Sequence, residues 1–153
     1  MKPITFACQG TLSLTPDEIA EQILDLAKWP DFRGYVPIPG IKSAEFEVKT
    51  PNIIGIRIRV ANLDGSSHVE EIVEWQPDRR LQLCIDGFSS SLSRLATRFV
   101  ETWECQRQGI EIKITRSVEF NTKSLLVWPE LWLISFILKL AIARHLKEMR
   151  NKP

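Results

Sequence analysis

The sequence predicts an α+β domain in which a curved antiparallel sheet wraps a long, very apolar C-terminal helix. Three observations predict it. Segments with period-two apolar patterning, separated by turn residues, run from Ile41 to Asn121. A capped helix follows the first such segment, at Thr15-Pro16-Asp17-Glu18. The chain then ends in a nearly unbroken apolar helical segment from Pro129 to Met149.

Each element has a local reason. Ile4, Phe6 and Cys8 alternate with Thr5, Ala7 and Gln9, which predicts a first strand ending near Leu14. Thr15 can cap the next helix, Pro16 suits its first position, and Glu18 completes a capping box. Ile19, Ile23, Leu24 and Leu26 form its apolar stripe, and Pro30 ends it near Lys28. Trp29-Pro30-Asp31-Phe32 suggests a second short helical turn, and Pro37, Pro39 and Gly40 break the chain.

Six strands follow. Ala44, Phe46 and Val48 alternate with Glu45, Glu47 and Lys49, and Ile54, Ile56, Ile58 and Val60 alternate with Arg57 and Arg59. Asp64-Gly65 is a hairpin signal leading into strand 68–76. Gln76-Pro77-Asp78-Arg79 turns into a strand marked by Leu81, Leu83 and Ile85. A serine-rich loop, Ser89 to Ser93, precedes strand 94–106, and Arg107-Gln108-Gly109 turns it into strand 110–120. Successive hairpins imply an antiparallel meander. Ser124 is placed to cap a short turn before the main helix, whose last turns carry Lys139, Arg144, Lys147 and Arg150.

Composition narrows the function classes. At 153 residues, one domain spanning 1–153 is expected. Hydrophobic residues make up 44% and charged residues 25%, against both disorder and a polytopic membrane protein. A net charge of +1 gives no electrostatic footprint for nucleic acid. Cys8, Cys84 and Cys105 match no metal or redox spacing, so buried thiols are expected, with no metal and no cofactor. Met1 to Gly10 has no apolar core of a secretory signal, and the expected location is cytoplasmic. Leu131 to Leu138, LWLISFIL, continues through Leu140 to Ala143 with Lys139 interrupting it, and the run is too short to span a bilayer, for which about 18 apolar residues are needed.

Several stretches resemble those of a known superfamily. They are the capped helix Pro16 to Ala27, then Lys28-Trp29-Pro30-Asp31-Phe32, then Pro39-Gly40-Ile41 entering a strand. Val73-Glu74-Trp75-Gln76-Pro77-Asp78-Arg79-Arg80-Leu81 crosses a hairpin. They are similar to the "WP" turn and the "E-x-x-P-x-R-x-L" hairpin of the START-like (SRPBCC) superfamily, which includes birch-pollen-allergen-like proteins and polyketide cyclases. The resemblance covers the whole chain. It implies the helix-grip fold: seven strands around the C-terminal helix, two short helices between strands 1 and 2, and a cavity beneath the helix. It also implies an apolar ligand such as a lipid, polyketide, quinone or hormone-like molecule.

The residues that could act are those that break a pattern. Taking the more apolar face of each strand as interior places Glu71 beside Val69, Val73 and Trp75. It places Glu101 among Leu95, Thr97, Phe99, Trp103 and Cys105, and Arg116 among Ile110, Ile112, Ile114, Val118 and Phe120. Lone buried charges are costly, so such groups pair or meet a hydrated cavity. Counting back from the 107–109 turn sets Glu101 opposite residue 115 or 116, a cross-strand partner for Arg116.

The expected binding set is therefore Ile58, Glu71, Val73, Leu83, Ile85, Phe99, Glu101, Trp103, Ile114 and Arg116, with Trp132 and Phe136 from the helix. Glu71 and Glu101 are also the only carboxylates placed to move a proton in a cyclase-like alternative. His68 and His145 are expected on the surface, and Arg57 and Arg59 are expected to ladder with Glu70 and Glu74 outside the sheet. A helix this apolar on all sides must be covered on all sides. The sheet covers one side, so the other must meet the short helices and loops, a second copy or a membrane surface.

Overall fold

A computed structural model describes residues 3–36, 38–89 and 92–151. Its elements are β1 (Ile4–Leu12), α1 (Pro16–Leu24), a 3-10 helix (Leu26–Asp31), β2 (Ile41–Val48), β3 (Arg57–Asn62) and β4 (Ser67–Gln76). Then come β5 (Arg80–Asp86), a helical turn α2 (Leu92–Leu95), β6 (Ala96–Gln108), β7 (Glu111–Thr122) and α3 (Trp128–Asn151), with a short 3-10 turn at Leu125–Val127. The strands form one seven-stranded antiparallel sheet in the order β1-β7-β6-β5-β4-β3-β2. The α+β helix-grip fold expected from the sequence is the fold observed.

The capping box forms as its residues predict. Glu18 N–H donates to Thr15 Oγ1 at 3.2 Å, and Thr15 N–H donates to Glu18 Oε2 at 2.8 Å. The helix stops at Leu24, short of Lys28, because Asp25 leaves helical geometry and caps the 3-10 turn through Ala27 N–H. Trp29 fixes that turn against α1 by donating its Nε1–H to the Ile23 carbonyl at 2.8 Å. β1 likewise ends at Leu12, two residues early. β3 begins only at Arg57: Ile53 has a φ of 72° and Ile54 is exposed, so that apolar run opens in a turn. Ser124 makes no side-chain cap. Of the serine loop, Ser90 and Ser91 lie outside the described residues, as does Pro37.

Inward residues of β1, β6 and β7 build the core beneath α3. Phe99 and Phe120 meet edge-on with ring centroids 4.3 Å apart, and Phe6 flanks Phe120 at 5.8 Å. Helix α3 presents Leu131, Ser135, Ile142, Leu146 and Met149 to this core, a spacing of one or two helical turns along one face. Its opposite face is uncovered: Trp128, Trp132, Leu133, Phe136 and Leu140 are all exposed. By length and composition the helix within Leu125–Arg150 is apolar enough to cross a bilayer, with a mean hydropathy of 1.9 over an 18-residue window. In this fold one side of the helix packs on β1 and β7, as a core helix does, and length and apolarity alone do not make it a span.

Several strands depart from the expected alternation. A bulge on β6 between Ala96 and Arg98 leaves Thr97 exposed, and Leu95 belongs to α2. A bulge on β2 between Phe46 and Val48 leaves Val48 exposed. Ile110 sits in the β6–β7 turn and is 98% exposed, so it is no part of the β7 face. On β4 a bulge between Ile72 and Glu74 changes which parity points inward. Ile72 is buried and Val73 is exposed, the reverse of the expectation.

Candidate functional site

Between the sheet, the α1–3-10 segment and α3 lies a cavity of about 410 Å³. That volume falls within the size range of small-molecule sites. Its wall is largely apolar, from Leu83, Ile85, Phe88, Phe99 and Val118 on the sheet side and Ile134, Leu138 and Ile142 on α3. Two hydrogen-bonded polar clusters interrupt it, and Gln22, Lys28, Asp31 and Glu148 also reach the wall.

The first sits on β6 and β7. Glu101 is only 9% exposed and Arg116 only 5%, and their side chains pair at 2.9 Å. The pairing is diagonal: Glu101 stands opposite Val118, and Arg116 stands opposite Trp103. The remaining groups of the cluster close around the pair. Trp103 Nε1–H donates to Glu101 Oε1 at 2.9 Å, and the guanidinium stacks 4.1 Å above the Trp103 ring. Arg116 Nη1 donates to His145 Nδ1 at 2.9 Å. Arginine can only donate, so this bond makes Nδ1 an acceptor and puts the imidazole proton on Nε2. His145 is held in turn by Phe32, edge-on at 5.7 Å. Arg116 Nε is buried without a hydrogen-bond partner. With both Glu101 oxygens engaged, the cluster resembles a fixed ion pair more than a proton-transfer centre.

The second cluster sits on β4 and the β3–β4 turn. His68 Nε2 lies 3.3 Å from Glu70 Oε1, and His68 Nδ1 lies 3.2 Å from Asn62 Nδ2. Asn62 also donates to Ser66 Oγ at 3.1 Å, and Ser66 Oγ–H donates to Asp64 Oδ1 at 2.5 Å. Two hydrogen bonds from Ser66 to Asp64 hold the Asp64 carboxyl below its usual range. His68 packs beside Phe88, ring centroids 6.3 Å apart.

The two clusters are far apart. Arg116 and Glu70 are three strands distant, about 14 Å at 4.8 Å per strand. They are offset by four residues along the strands, from the Leu81 level to the Ile85 level, a further ~13 Å.

Of the residues expected from sequence, Leu83, Ile85, Phe99, Glu101, Trp103 and Arg116 line the cavity together. Ile58 and Ile114 point inward but are fully buried in the packed core and do not reach the void. Glu71 and Val73 are corrections. Glu71 is on the outer face, paired with Arg57 at 3.0 Å, and Val73 is exposed, because the β4 bulge reverses their parity. Glu71 is thereby removed as a proton-transfer candidate. Trp132 and Phe136 are corrections too. Both are 50% exposed on the outer side of α3, where their rings stack at 6.2 Å.

The outer ladder is real but differently composed. Arg57 pairs with Glu71, Arg59 with Glu47 at 2.9 Å, and Glu74 with Arg80 at 3.2 Å, while Glu70 faces the cavity. His68 and His145, expected on the surface, both line the cavity. With Asn62 and Glu70 they are the site residues that sequence reasoning missed. The available signal was parity with Ile72: His68 and Glu70 share its side of β4. The three cysteines are free, and burial pushes each thiol up from its ordinary value. Among the described residues no three His, Cys, Asp or Glu side chains are grouped to hold a metal.

No family model matches the chain, and no curated protein sequence does. Solved structures match over nearly its whole length. Ara h 8.0201 is 19% identical, covering 95% of this chain and 99% of its own, with a TM-score of 0.64. Major latex-like protein 151 from Panax ginseng is 14% identical, covering 99% and 100%, at 0.66. A START superfamily protein from Mycobacterium smegmatis is 8% identical, covering 96% and 97%, at 0.72. At these identities the likeness establishes the START-like fold and leaves the ligand to the site itself.

Proposed function

We propose that this START-like fold binds an apolar small molecule, such as a lipid, polyketide or quinone, in the cavity between sheet and α3. The observation that supports the reading is a largely apolar cavity of about 410 Å³ with two hydrogen-bonded polar clusters on its wall. Packed interiors seldom leave voids larger than a water molecule, and burying polar groups beside one is costly unless a ligand or water uses them. The test is native mass spectrometry of the purified protein with and without lipid extract. A bound mass is expected, and Leu138→Trp, which fills the void from α3, is expected to lower its occupancy at least about tenfold while the protein stays folded. Undiminished binding in that variant would move the ligand elsewhere.

A second reading rests on the outer side of α3. Trp128, Trp132, Phe136 and Leu140 form an exposed apolar stripe, and the same side continues into exposed Lys139, Arg144, Lys147 and Arg150. An apolar stripe followed by cations is the chemistry of a helix lying on an anionic bilayer surface. Co-sedimentation with phosphatidylserine-containing vesicles is expected, weaker with phosphatidylcholine alone, and lost in Trp132→Ser/Phe136→Ser. A stable dimer in light scattering, with no vesicle binding, would assign the stripe to a second copy instead.

A further inference from the structure

We infer that the ligand carries a hydrogen-bond donor, a hydroxyl or amine, at the end lying against β4, and that Glu70 receives it. The inference rests on the cavity-binding reading and names the chemistry of one end of that ligand.

The hydrogen bonds around Glu70 run in one direction. Ser66 Oγ–H donates to Asp64, so Ser66 Oγ is available as an acceptor for Asn62 Nδ2. That fixes the orientation of the Asn62 amide. The same Nδ2 then meets His68 Nδ1, which must accept. The imidazole proton is therefore on Nε2, pointing at Glu70 Oε1. Every donor in the chain is spent before Glu70, and its second oxygen accepts nothing from the described residues. Glu70 is also well buried, with a side chain 13% exposed. The β4 end of the cavity thus offers an acceptor held in place by a neutral imidazole, in surroundings of low polarity where such a bond is strengthened.

The charge of the wall points the same way. Glu101 and Arg116 neutralise one another at the opposite end. Of the other lining acids, Glu148 is paired with Arg144 at 3.3 Å and Asp31 has a partner of its own, which leaves Asp64 and Glu70, both in the cluster at the β4 end, against the one further lining base, Lys28. A carboxylate or phosphate head would meet repulsion and no available donor at Glu70. An alcohol, phenol or ammonium head would complete the chain.

Four probes with ten-carbon chains test this: decylamine, 1-decanol, decyl methyl ether and decanoate, each competed against the neutral fluorophore N-phenyl-1-naphthylamine. Amine and alcohol are expected to bind about tenfold or more tightly than ether and decanoate, the usual strength of a hydrogen bond to a charged group. Glu70→Gln, close to isosteric, is expected to erase that preference while leaving the ether within about twofold of its original affinity. Glu71→Gln, on the outer face, serves as the control and leaves all four unchanged. Equal affinities in the parent protein, or a preference that survives Glu70→Gln, would overturn the assignment. If neither the fluorophore nor any probe binds, the cavity-binding reading fails first, which separates the two ideas.

Discussion

Arg116→Met is expected to lower the melting temperature by about 10 °C, and Glu101→Leu/Arg116→Met is expected to recover much of that loss. The two side chains lie 2.9 Å apart and almost wholly out of water. Removing only the guanidinium leaves the Glu101 carboxylate buried without its counter-charge, which typically costs about 3–5 kcal/mol. In a domain of this size each kcal/mol moves the transition by roughly 2–4 °C. The single variant also strips the Trp103 ring of its stacked cation and His145 Nδ1 of its donor. The double variant removes both charges together, and buried pairs replaced by apolar groups of similar volume are often neutral. It still leaves Trp103 Nε1 without an acceptor, a loss of about 1 kcal/mol. The double variant should therefore fall between parent and single variant. Thermal denaturation of all three would measure the coupling, and a double variant no more stable than Arg116→Met would show that the pair does not act as a unit.

How far the site was legible follows from which signals are local. The helix-grip order of elements was readable because caps, turns and alternation are encoded within a few residues, as at Thr15–Glu18 and Asp64–Gly65. Glu101 and Arg116 were readable because β7, and β6 beyond its bulge at Ala96–Arg98, pair without a register shift through both, so a charge on an apolar face stands out. β4 defeated the same rule. Its apolar tally favoured Val69, Val73 and Trp75, yet the bulge after Ile72 puts Trp75 on the same side as Ile72, Glu70 and His68. A bulge leaves no reliable trace in composition, and one inserted residue exchanged Glu71 for Glu70 in the site. The diagonal geometry of Glu101 and Arg116 escaped for a related reason, since register fixes which residues face each other but long side chains reach past it. His145 was invisible because its role depends on how α3 sits over β7, a tertiary fact with no local pattern. The exposed stripe on α3 was anticipated as a surplus of apolar residues, but which of them stay uncovered required the packing.

Gly34→Ala should destabilise the protein by about 3 kcal/mol or more, well beyond Gly65→Ala, although both glycines have positive φ. Gly34 has a φ of +71° and Gly65 of +86°, and an L-residue in that region costs roughly 1–2 kcal/mol at either site. The surroundings differ. A Cβ on Gly65 meets nothing within 4 Å, whereas a Cβ on Gly34 would be driven into the Ile38 carbonyl and the Pro39 backbone, at 2.5 Å from the Pro39 carbonyl carbon. Those atoms cannot step aside cheaply. Tyr35 and Ile38 exchange backbone hydrogen bonds of 2.9 and 2.7 Å, and Ile41 N–H closes the loop onto the Phe32 carbonyl at 2.9 Å. Gly40 repeats the constraint from the other side, its Cβ position lying 2.7 Å from the Arg33 carbonyl oxygen. The loop is thus a backbone-to-backbone lock, and it carries part of the cavity wall: Phe32, Ile38, Pro39 and Ile41 line the void. Phe32 also braces His145, the acceptor for Arg116. Gly34→Ala should therefore weaken ligand binding as well as folding, while Gly65→Ala should cost only the backbone term. Denaturant titration of the two variants, read beside fluorophore affinity, separates these contributions. If Gly34→Ala costs no more than Gly65→Ala, the loop yields under load and does not fix the wall of the cavity.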